Sequence, residues 1–245
     1  MGPRYRRTAR YFDLVSAIAI VIAAGFLAKA AIDVSRLTGA RAQSKGAPPA
    51  LPLPNRPIML RSATALGSSS ARVALIIFSD FQCPFCAKFA TELLPSLKKR
   101  YVDSGQVRLG FNHLVFENMH PLALAAGAAA ECAGRQGRFW QYHDLLFADK
   151  SALQPANLEV SAQSLGLDTN AFGACLTGLG TETVKADSRW AQSSGLKVTP
   201  SFFVAIVQTD GTAKAVEGIE GARPVAQFSA ALDRALRSVG KATGQ

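Results

Sequence analysis

The sequence predicts an α/β fold that is interrupted by an all-helical insertion. Residues 73–78 form a continuous apolar run of strand length, which is typical of a strand covered on both faces. Residues 118–196 are instead rich in alanine, leucine and polar helix formers, with glycine or proline at the breaks. Strand patterns return after this block, so we expect the block to lie inside an α/β layer arrangement.

Four elements are predicted before the insertion. A short strand is expected at 57–60 and the buried strand at 73–78. Apolar side chains then repeat every four residues over 83–101, which predicts a helix that Pro95 should bend. Partial alternation over 106–111 predicts the next strand.

Breaks and periodicity also divide the rest of the chain. The predicted elements are helices near 120–134, 138–148, 155–165, 169–177 (with Asp168 as N-cap) and 181–194, a strand at 201–207, a turn at 209–211, a strand at 212–217 and an amphipathic helix from Pro224 to about Val239. Two strands that flank a helical block support the assignment of that block as an insertion.

The charge of the chain is concentrated at its N-terminus. The 245 residues carry a net charge of +10, and Lys and Arg exceed Asp by six within residues 1–45. The remaining part has no cluster of basic residues interleaved with aromatics, so we exclude a nucleic-acid partner. With 49% hydrophobic residues, the chain can bury one sizeable core.

The first 57 residues predict export. Four arginines precede the uncharged run 14–28, which places the N-terminus in the cytoplasm and directs the downstream residues across the membrane. Residues 1–32 are therefore an inner-membrane anchor, which we favour, or a cleaved signal peptide that leaves a soluble periplasmic protein. Residues 33–57 are a proline-rich tether, and 58–245 form the periplasm-facing domain.

A Cys-x-x-Cys motif stands where the buried strand passes into the predicted helix. Cys83 and Cys86 share one helix face, so their sulfurs can meet. Cys83 lies at the positive end of the helix dipole, which stabilises a thiolate, and Pro84 suits the first helical position. The alternatives are half of a zinc site or a structural disulfide. The position of the pair favours a redox-active dithiol, and zinc is disfavoured because the chain has no second Cys-x-x-Cys pair and no His-x-x-x-His pair.

Several segments together resemble a known group. They are Phe-Ser-Asp-Phe-Gln-Cys-Pro-Phe-Cys at 78–86, Val-Thr-Pro-Ser-Phe-Phe at 198–203, Glu-Cys-Ala at 131–133 and Gly-Arg-Phe-Trp-Gln-Tyr-His at 137–143. In these residues the chain is similar to the DsbA-like thiol:disulfide oxidoreductases of the thioredoxin superfamily. The resemblance covers about residues 66–239 and implies a thioredoxin-like fold with an inserted helical subdomain.

The resemblance also implies roles for four residues. Cys83 would be the nucleophile and Cys86 the buried resolving thiol, with Pro200 as a cis-proline opposite them. The backbone of Thr199 would contact the substrate like an added strand. Substrates would be exported proteins that contain cysteine, and a quinone-linked membrane oxidase would reoxidise the pair. No cofactor or metal is expected, because the electrons travel in the sulfurs.

Two positions depart from the family pattern. Phe85 stands where many DsbA proteins have a histidine that stabilises the thiolate, so we expect a weaker oxidant. Ile77 stands where many thioredoxin-like enzymes have a buried acid that relays protons. Asp80 is a candidate substitute for that acid, although its position favours an exposed turn or a cap.

The direction of electron flow is open to alternatives. We favour an oxidase that forms disulfide bonds. The alternatives are a disulfide reductase or isomerase and, from another class, a non-enzymatic thiol chaperone that binds Cu(I). The short, proline-rich tether leaves no room for the N-terminal dimerisation domain that the similar isomerases carry, and no Met-rich or His-rich segment supports copper binding.

The remaining cysteines and the histidines carry weaker signals. Cys132 and Cys175 either pair in a structural disulfide, which an oxidising compartment favours, or remain two buried thiols. The three histidines, His113, His120 and His143, are too scattered for an evident metal site. We assign all three to packing.

Overall fold

A six-stranded mixed sheet forms the centre of the described residues, 51–242, in the computed structural model of the chain. Its strands are β1 (Ile58–Met59), β2 (Ala65–Leu66), β3 (Val73–Ser79), β4 (Val107–His113), β5 (Ser201–Val207) and β6 (Thr212–Glu220). Their order is β1-β6-β5-β3-β4-β2. Strands β3 and β4 are parallel, and every other neighbouring pair is antiparallel. The predicted α/β fold is confirmed.

Strand β3 is the central element because both of its faces are covered. All seven of its residues are buried, as the continuous apolar run predicts. Val73, Leu75 and Ile77 face one core cluster, and Ala74, Ile76 and Phe78 face a second cluster on the other side. Successive strand side chains point to opposite faces, so this single strand joins both halves of the core.

Eight α-helices surround the sheet in the described part of the chain. They are α1 (Pro84–Lys88), α2 (Leu94–Leu97), α3 (Ala123–Arg135), α4 (Phe139–Ala148), α5 (Pro155–Ser164), α6 (Thr169–Cys175), α7 (Thr181–Ser193) and α8 (Val225–Ala242). Helices α3 to α7 form the insertion between β4 and β5. The five predicted helices of this block are confirmed, and Asp168 caps α6 by accepting the N–H groups of Asn170 and Ala171.

The helix predicted over 83–101 differs in detail. Two wide turns of π type interrupt it. Phe89–Leu93 lies between α1 and α2, and Lys98–Val102 follows α2. The first wide turn ends two residues before Pro95, which has no N–H to donate and is where a bend is expected. The sequence did not predict β2, because two residues are too short for a periodic signal.

Residues 1–32 and most of the predicted tether lie outside the described residues. Within 51–242 no helix is long and apolar enough to cross a membrane. The last residues of the predicted tether, from Leu51 onwards, are described, and Leu51 is buried against Gly218 of β6. An added Cβ at Gly218 would lie 2.7 Å from the Cβ of Leu51, so glycine is required for this close approach.

Candidate active site

The two cysteines lie at the junction that the sequence predicts. Cys83 is the N-cap of α1, with an extended backbone, and Pro84 occupies the first turn. The N–H of Cys83 donates to the carbonyl oxygen of Asp80 at 3.2 Å, and the carbonyl oxygen of Cys83 accepts the N–H of Ala87 at 3.0 Å. The turn from β3 into α1 therefore holds Cys83 at the positive end of the helix.

The structure brings Cys83, Cys86 and the Thr199–Pro200 loop together. Both cysteines are free thiols and buried, and the Cys83 Sγ lies 3.6 Å from the carbonyl oxygen of Thr199. The Thr199–Pro200 peptide bond is cis. The Cys86 Sγ accepts the N–H of Asp80 at 3.4 Å. All four site residues named from the sequence thus meet at one place.

The pKa of Cys83 is lowered from 9.0 to about 6. The largest cause is a hydrogen bond from the Cys86 thiol, which outweighs the opposing effect of burial. Thr199 and the backbone N–H groups of Cys86 and Phe85 lower this pKa further. At neutral pH the Cys83 sulfur is therefore mainly a thiolate, the form that attacks disulfides.

The pKa of Cys86 moves in the opposite direction, well above 9.0. Burial is the main cause, and the hydrogen bond and negative charge of Cys83 add to it. A pair of thiols with pKa values driven apart has one nucleophile and one partner that keeps its proton. This arrangement can exchange electrons with an external disulfide or dithiol.

One hollow is lined in part by Cys83 and a second in part by Thr199. One has a volume of about 360 Å³, and its apolar wall comes from Phe81, Pro84, Leu122, Leu146, Phe147 and Leu153. The other, also about 360 Å³, lies beside Phe85, Val198 and Thr199. Phe85 and Val198 are exposed, with 62% and 41% of their surfaces accessible. Exposed apolar groups around the Thr199 end of the site suit contact with a protein substrate.

The expected exposed turn at Asp80 is wrong, because Asp80 is fully buried. Its Oδ1 accepts the N–H of Gln82 at 2.8 Å, and its Oδ2 lies 2.8 Å from Nδ1 of His120. These partners satisfy the carboxylate and allow its burial. The assignment of His120 to packing missed this contact, because no local sequence signal links positions 40 residues apart.

Cys132 and Cys175 lie apart from this site and are joined to each other. Their sulfurs form a disulfide of 2.05 Å, which connects α3 to the end of α6 within the insertion. Cys132 is almost completely buried. The bond is local to the helical block, and neither sulfur lies at the start of a helix.

One group of possible metal-ligating side chains converges within residues 51–242. It consists of His113, Glu131 and Asp187, whose ligand atoms lie within 4.8 Å of one another. The Nη2 of Arg61 already donates to Glu131 at 3.0 Å and to Asp187 at 2.7 Å, and His113 bonds Glu131 at 2.9 Å. The cluster is thus a partly buried ion-pair network that joins β4, α3 and α7 to the segment before β2.

Burial and neighbouring positive charge shift the pKa values of the two carboxyl groups in this network in opposite directions. Burial by itself would raise the pKa of Glu131, but hydrogen bonds and positive charge from His113 and Arg61 lower it. Burial raises the pKa of Asp187, although Arg61 and His113 act against that shift. Arg61 is therefore a permanent positive charge that these two carboxyl groups share.

Comparison with known proteins places this geometry in a family. A protein-family model described as Thioredoxin matches residues 61–233. Among curated proteins, Na⁺/H⁺ antiporter NhaA 3 of Salinispora tropica is 37% identical over 139 residues, and NhaA of Herminiimonas arsenicoxydans is 35% identical over 139 residues. Each match covers 56% of this chain but only 21% of the relative, so the chain spans about a fifth of their length.

Solved structures share the fold. BdbD from Bacillus subtilis has a TM-score of 0.64 at 20% identity, covering 76% of this chain and 98% of its own. Wolbachia pipientis alpha-DsbA1 has a TM-score of 0.60 at 21% identity, covering 77% and 94%. Pseudomonas aeruginosa DsbA2 has a TM-score of 0.57 at 25% identity, covering 71% and 93%. The sheet and its helical insertion are therefore those of a DsbA-like fold.

Proposed function

The chain belongs to the thioredoxin family, and we propose that it is a DsbA-like thiol:disulfide oxidoreductase that forms disulfide bonds in exported proteins. The observation that carries this proposal is the opposite displacement of two pKa values, with Cys83 near 6 and Cys86 well above 9.0. A stabilised Cys83 thiolate favours the reduced pair, which makes the oxidised pair a stronger oxidant.

The proposed reaction begins with the oxidised Cys83–Cys86 pair. A substrate thiolate attacks the Cys83 Sγ, a mixed disulfide forms, and Cys86 leaves and takes up a proton. The second substrate thiolate then attacks the substrate sulfur of the mixed disulfide, and Cys83 leaves as a thiolate. The substrate loses two electrons and two protons; one proton stays on Cys86 and the other enters solvent.

The Thr199–Pro200 loop supplies the proposed substrate contact. The carbonyl oxygen of Thr199 lies 3.6 Å from the Cys83 Sγ, so an extended peptide bound there keeps its cysteine beside the nucleophile. Pro200 has no N–H that would compete for that peptide. Phe85 and Val198 add exposed apolar surface on the same side.

The proposed function requires a partner that reoxidises the Cys83–Cys86 pair and a location where exported proteins fold. A quinone-linked membrane oxidase would accept the two electrons from the reduced pair. An anchor at residues 1–32 and a tether at 33–57 would hold the domain on the periplasmic side of the inner membrane. The curated relatives are named as Na⁺/H⁺ antiporters, which supports a position near a membrane.

Trapping mixed disulfides tests the proposed function. In Cys86→Ala, the Cys83 thiolate attacks disulfides of exported proteins, which is the same exchange in reverse. The mixed disulfide cannot then be released by internal attack from Cys86, so covalent adducts with exported proteins should accumulate. The adducts should disappear on reduction and in the matched Cys83→Ala variant. Recovery of no adduct from Cys86→Ala would contradict the proposal, and Cu(I) binding by the unaltered protein would then favour the chaperone alternative.

A further inference from the structure

We propose that Asp80 and His120 form a proton relay for the buried thiol of Cys86, an inference that rests on the proposed thiol–disulfide exchange. The pair would carry out the task of the buried acid that many related enzymes have at the position of Ile77. Ile77 is 1% exposed and has no group that can accept a proton.

The exchange reaction requires proton transfer at Cys86. The raised pKa keeps Cys86 protonated when the pair is reduced, whereas its sulfur carries no proton in the disulfide. One proton must therefore enter or leave a side chain that is only 1% exposed in each cycle. Cys83, with its pKa of about 6, is mainly deprotonated at neutral pH and needs no such proton transfer.

Asp80 is bonded to both cysteines through its backbone. Its N–H donates to the Cys86 Sγ at 3.4 Å, and its carbonyl oxygen accepts the N–H of Cys83. The Asp80 carboxylate therefore belongs to the same residue that contacts the Cys86 sulfur, and in the proposed relay water bridges the two groups. Asp80 is therefore a carboxylic acid whose backbone directly contacts the sulfur that needs a proton acceptor.

His120 connects this buried carboxylate to solvent. Its Nδ1 lies 2.8 Å from the Asp80 Oδ2, and 18% of its side chain is exposed while that of Asp80 is fully buried. The other two histidines are engaged elsewhere, His113 with Glu131 and His143 with Asp144. The Asp80–His120 pair thus links the interior of the site to its surface.

The same path carries the Cys86 proton when the cysteine pair is oxidised and when it is reduced. When the reduced pair is oxidised, Asp80 takes the Cys86 proton through water and passes it to His120, which releases it to solvent. The Cys86 thiolate then attacks the Cys83 Sγ, the Cys83–Cys86 bond forms, and the bond from Cys83 to its partner breaks. When the disulfide is opened by a substrate, the proton returns along the same path to the departing Cys86.

The test isolates the step in which Cys86 attacks. Reduced full-length protein is mixed with oxidised glutathione, and acid quenching with mass spectrometry follows formation and resolution of the Cys83–glutathione disulfide from pH 6 to 9. Asp80→Asn and His120→Gln should slow resolution at pH 7 by at least about tenfold, since a general base typically contributes 10²–10⁴. Their rates should recover as pH rises, while formation of the mixed disulfide stays within about twofold of wild type.

Gln82→Ala is the matched control. The Oε1 of Gln82 accepts the N–H of Leu122 at 2.7 Å, so it ties the same two segments together without an ionisable group. This variant should keep the wild-type pH profile of resolution. In His120→Ala, added imidazole should restore the resolution rate, because it replaces the lost base.

The outcomes separate the relay from the exchange reaction. If Asp80→Asn and His120→Gln resolve the Cys83–glutathione disulfide at the wild-type rate, the relay is overturned and the exchange reaction stands. An equal loss of resolution rate in Gln82→Ala would also overturn the relay, because the contact between the two segments would then act only by holding the structure. Failure of imidazole to restore the rate in His120→Ala would overturn it as well. Failure of wild-type Cys83 to form any mixed disulfide would remove the proposed function and the relay with it.

Discussion

At the scale of single residues, the site depends on two thiols in unlike surroundings. Cys83 caps the start of α1 and receives hydrogen bonds, which stabilise its negative charge. Cys86 lies three residues further on, inside the core, where burial opposes charge. The side chain of Phe85 between them is exposed and has no donor, so backbone N–H groups at the helix start and the Cys86 thiol provide the stabilisation.

We expect the Cys83 thiol of the reduced protein to titrate near pH 6, with about 90% thiolate at pH 7. Absorbance of the thiolate at 240 nm measures this titration. Because the folded pKa lies below the unfolded value, the reduced protein should gain stability as pH rises from about 6 to 9, and lose it as pH falls through 6.

Cys86→Ala provides the control for this titration. It removes the hydrogen bond that is the largest cause of the low pKa, so the midpoint of Cys83 should rise toward 9.0. A midpoint near 9 in the unaltered protein would show that the site does not activate Cys83.

At the scale of elements, sequence periodicity was sufficient for the main helices and strands. The apolar run of β3, the Asp168 cap of α6 and the Pro84 start of α1 are local signals, and each is confirmed. The buried Asp80–His120 contact could not be predicted, since it joins residues that only the folded chain brings together. The same holds for Arg61 and Asp187, 126 positions apart.

Removing the disulfide should destabilise the helical insertion. Cys132 and Cys175 are separated by 43 residues, and closing such a loop restricts the unfolded chain by about 4 kcal/mol. We expect the Cys132→Ala/Cys175→Ala variant to lose about that much free energy of unfolding in urea denaturation. The Cys83→Ala/Cys86→Ala variant keeps this bond and serves as control; equal stabilities of the two variants would contradict the expectation.

Arg61→Ala should weaken the junction between the insertion and the sheet. It leaves Glu131 and Asp187 without their shared cation, at a cost of about 2–3 kcal/mol in a partly buried setting. Chemical denaturation measures the loss. Arg56→Ala is the matched control, because Arg56 lies over Trp190 at an exposed position and should contribute less than about 1 kcal/mol. Similar losses in both variants would exclude a special role for the network.

At the scale of the whole molecule, the described domain follows an N-terminal region of different composition. The domain carries the complete Cys83–Cys86 site and its facing loop within residues 51–242. The assignment of residues 1–32 to an anchor or signal rests on their charge and hydropathy alone and remains a prediction. Placement in the periplasm would give the dithiol access to exported substrates.

We expect the full chain to remain in the membrane fraction after carbonate extraction. A variant that begins at residue 50 and is exported by an unrelated cleavable signal should be released as soluble periplasmic protein, because it lacks the predicted anchor. Immunoblotting of the two fractions measures the distribution. Release of the full chain in a shortened form would instead identify residues 1–32 as a cleaved signal peptide.

The redox potential of the Cys83–Cys86 couple tests the proposed oxidase most directly. Equilibration of the full chain in glutathione buffers, followed by alkylation and mass spectrometry, gives the fraction oxidised at each ratio. The lowered pKa of Cys83 leads us to expect a potential near or above about −180 mV. A value near that of thioredoxin, about −270 mV, would contradict the oxidase and favour a reductase.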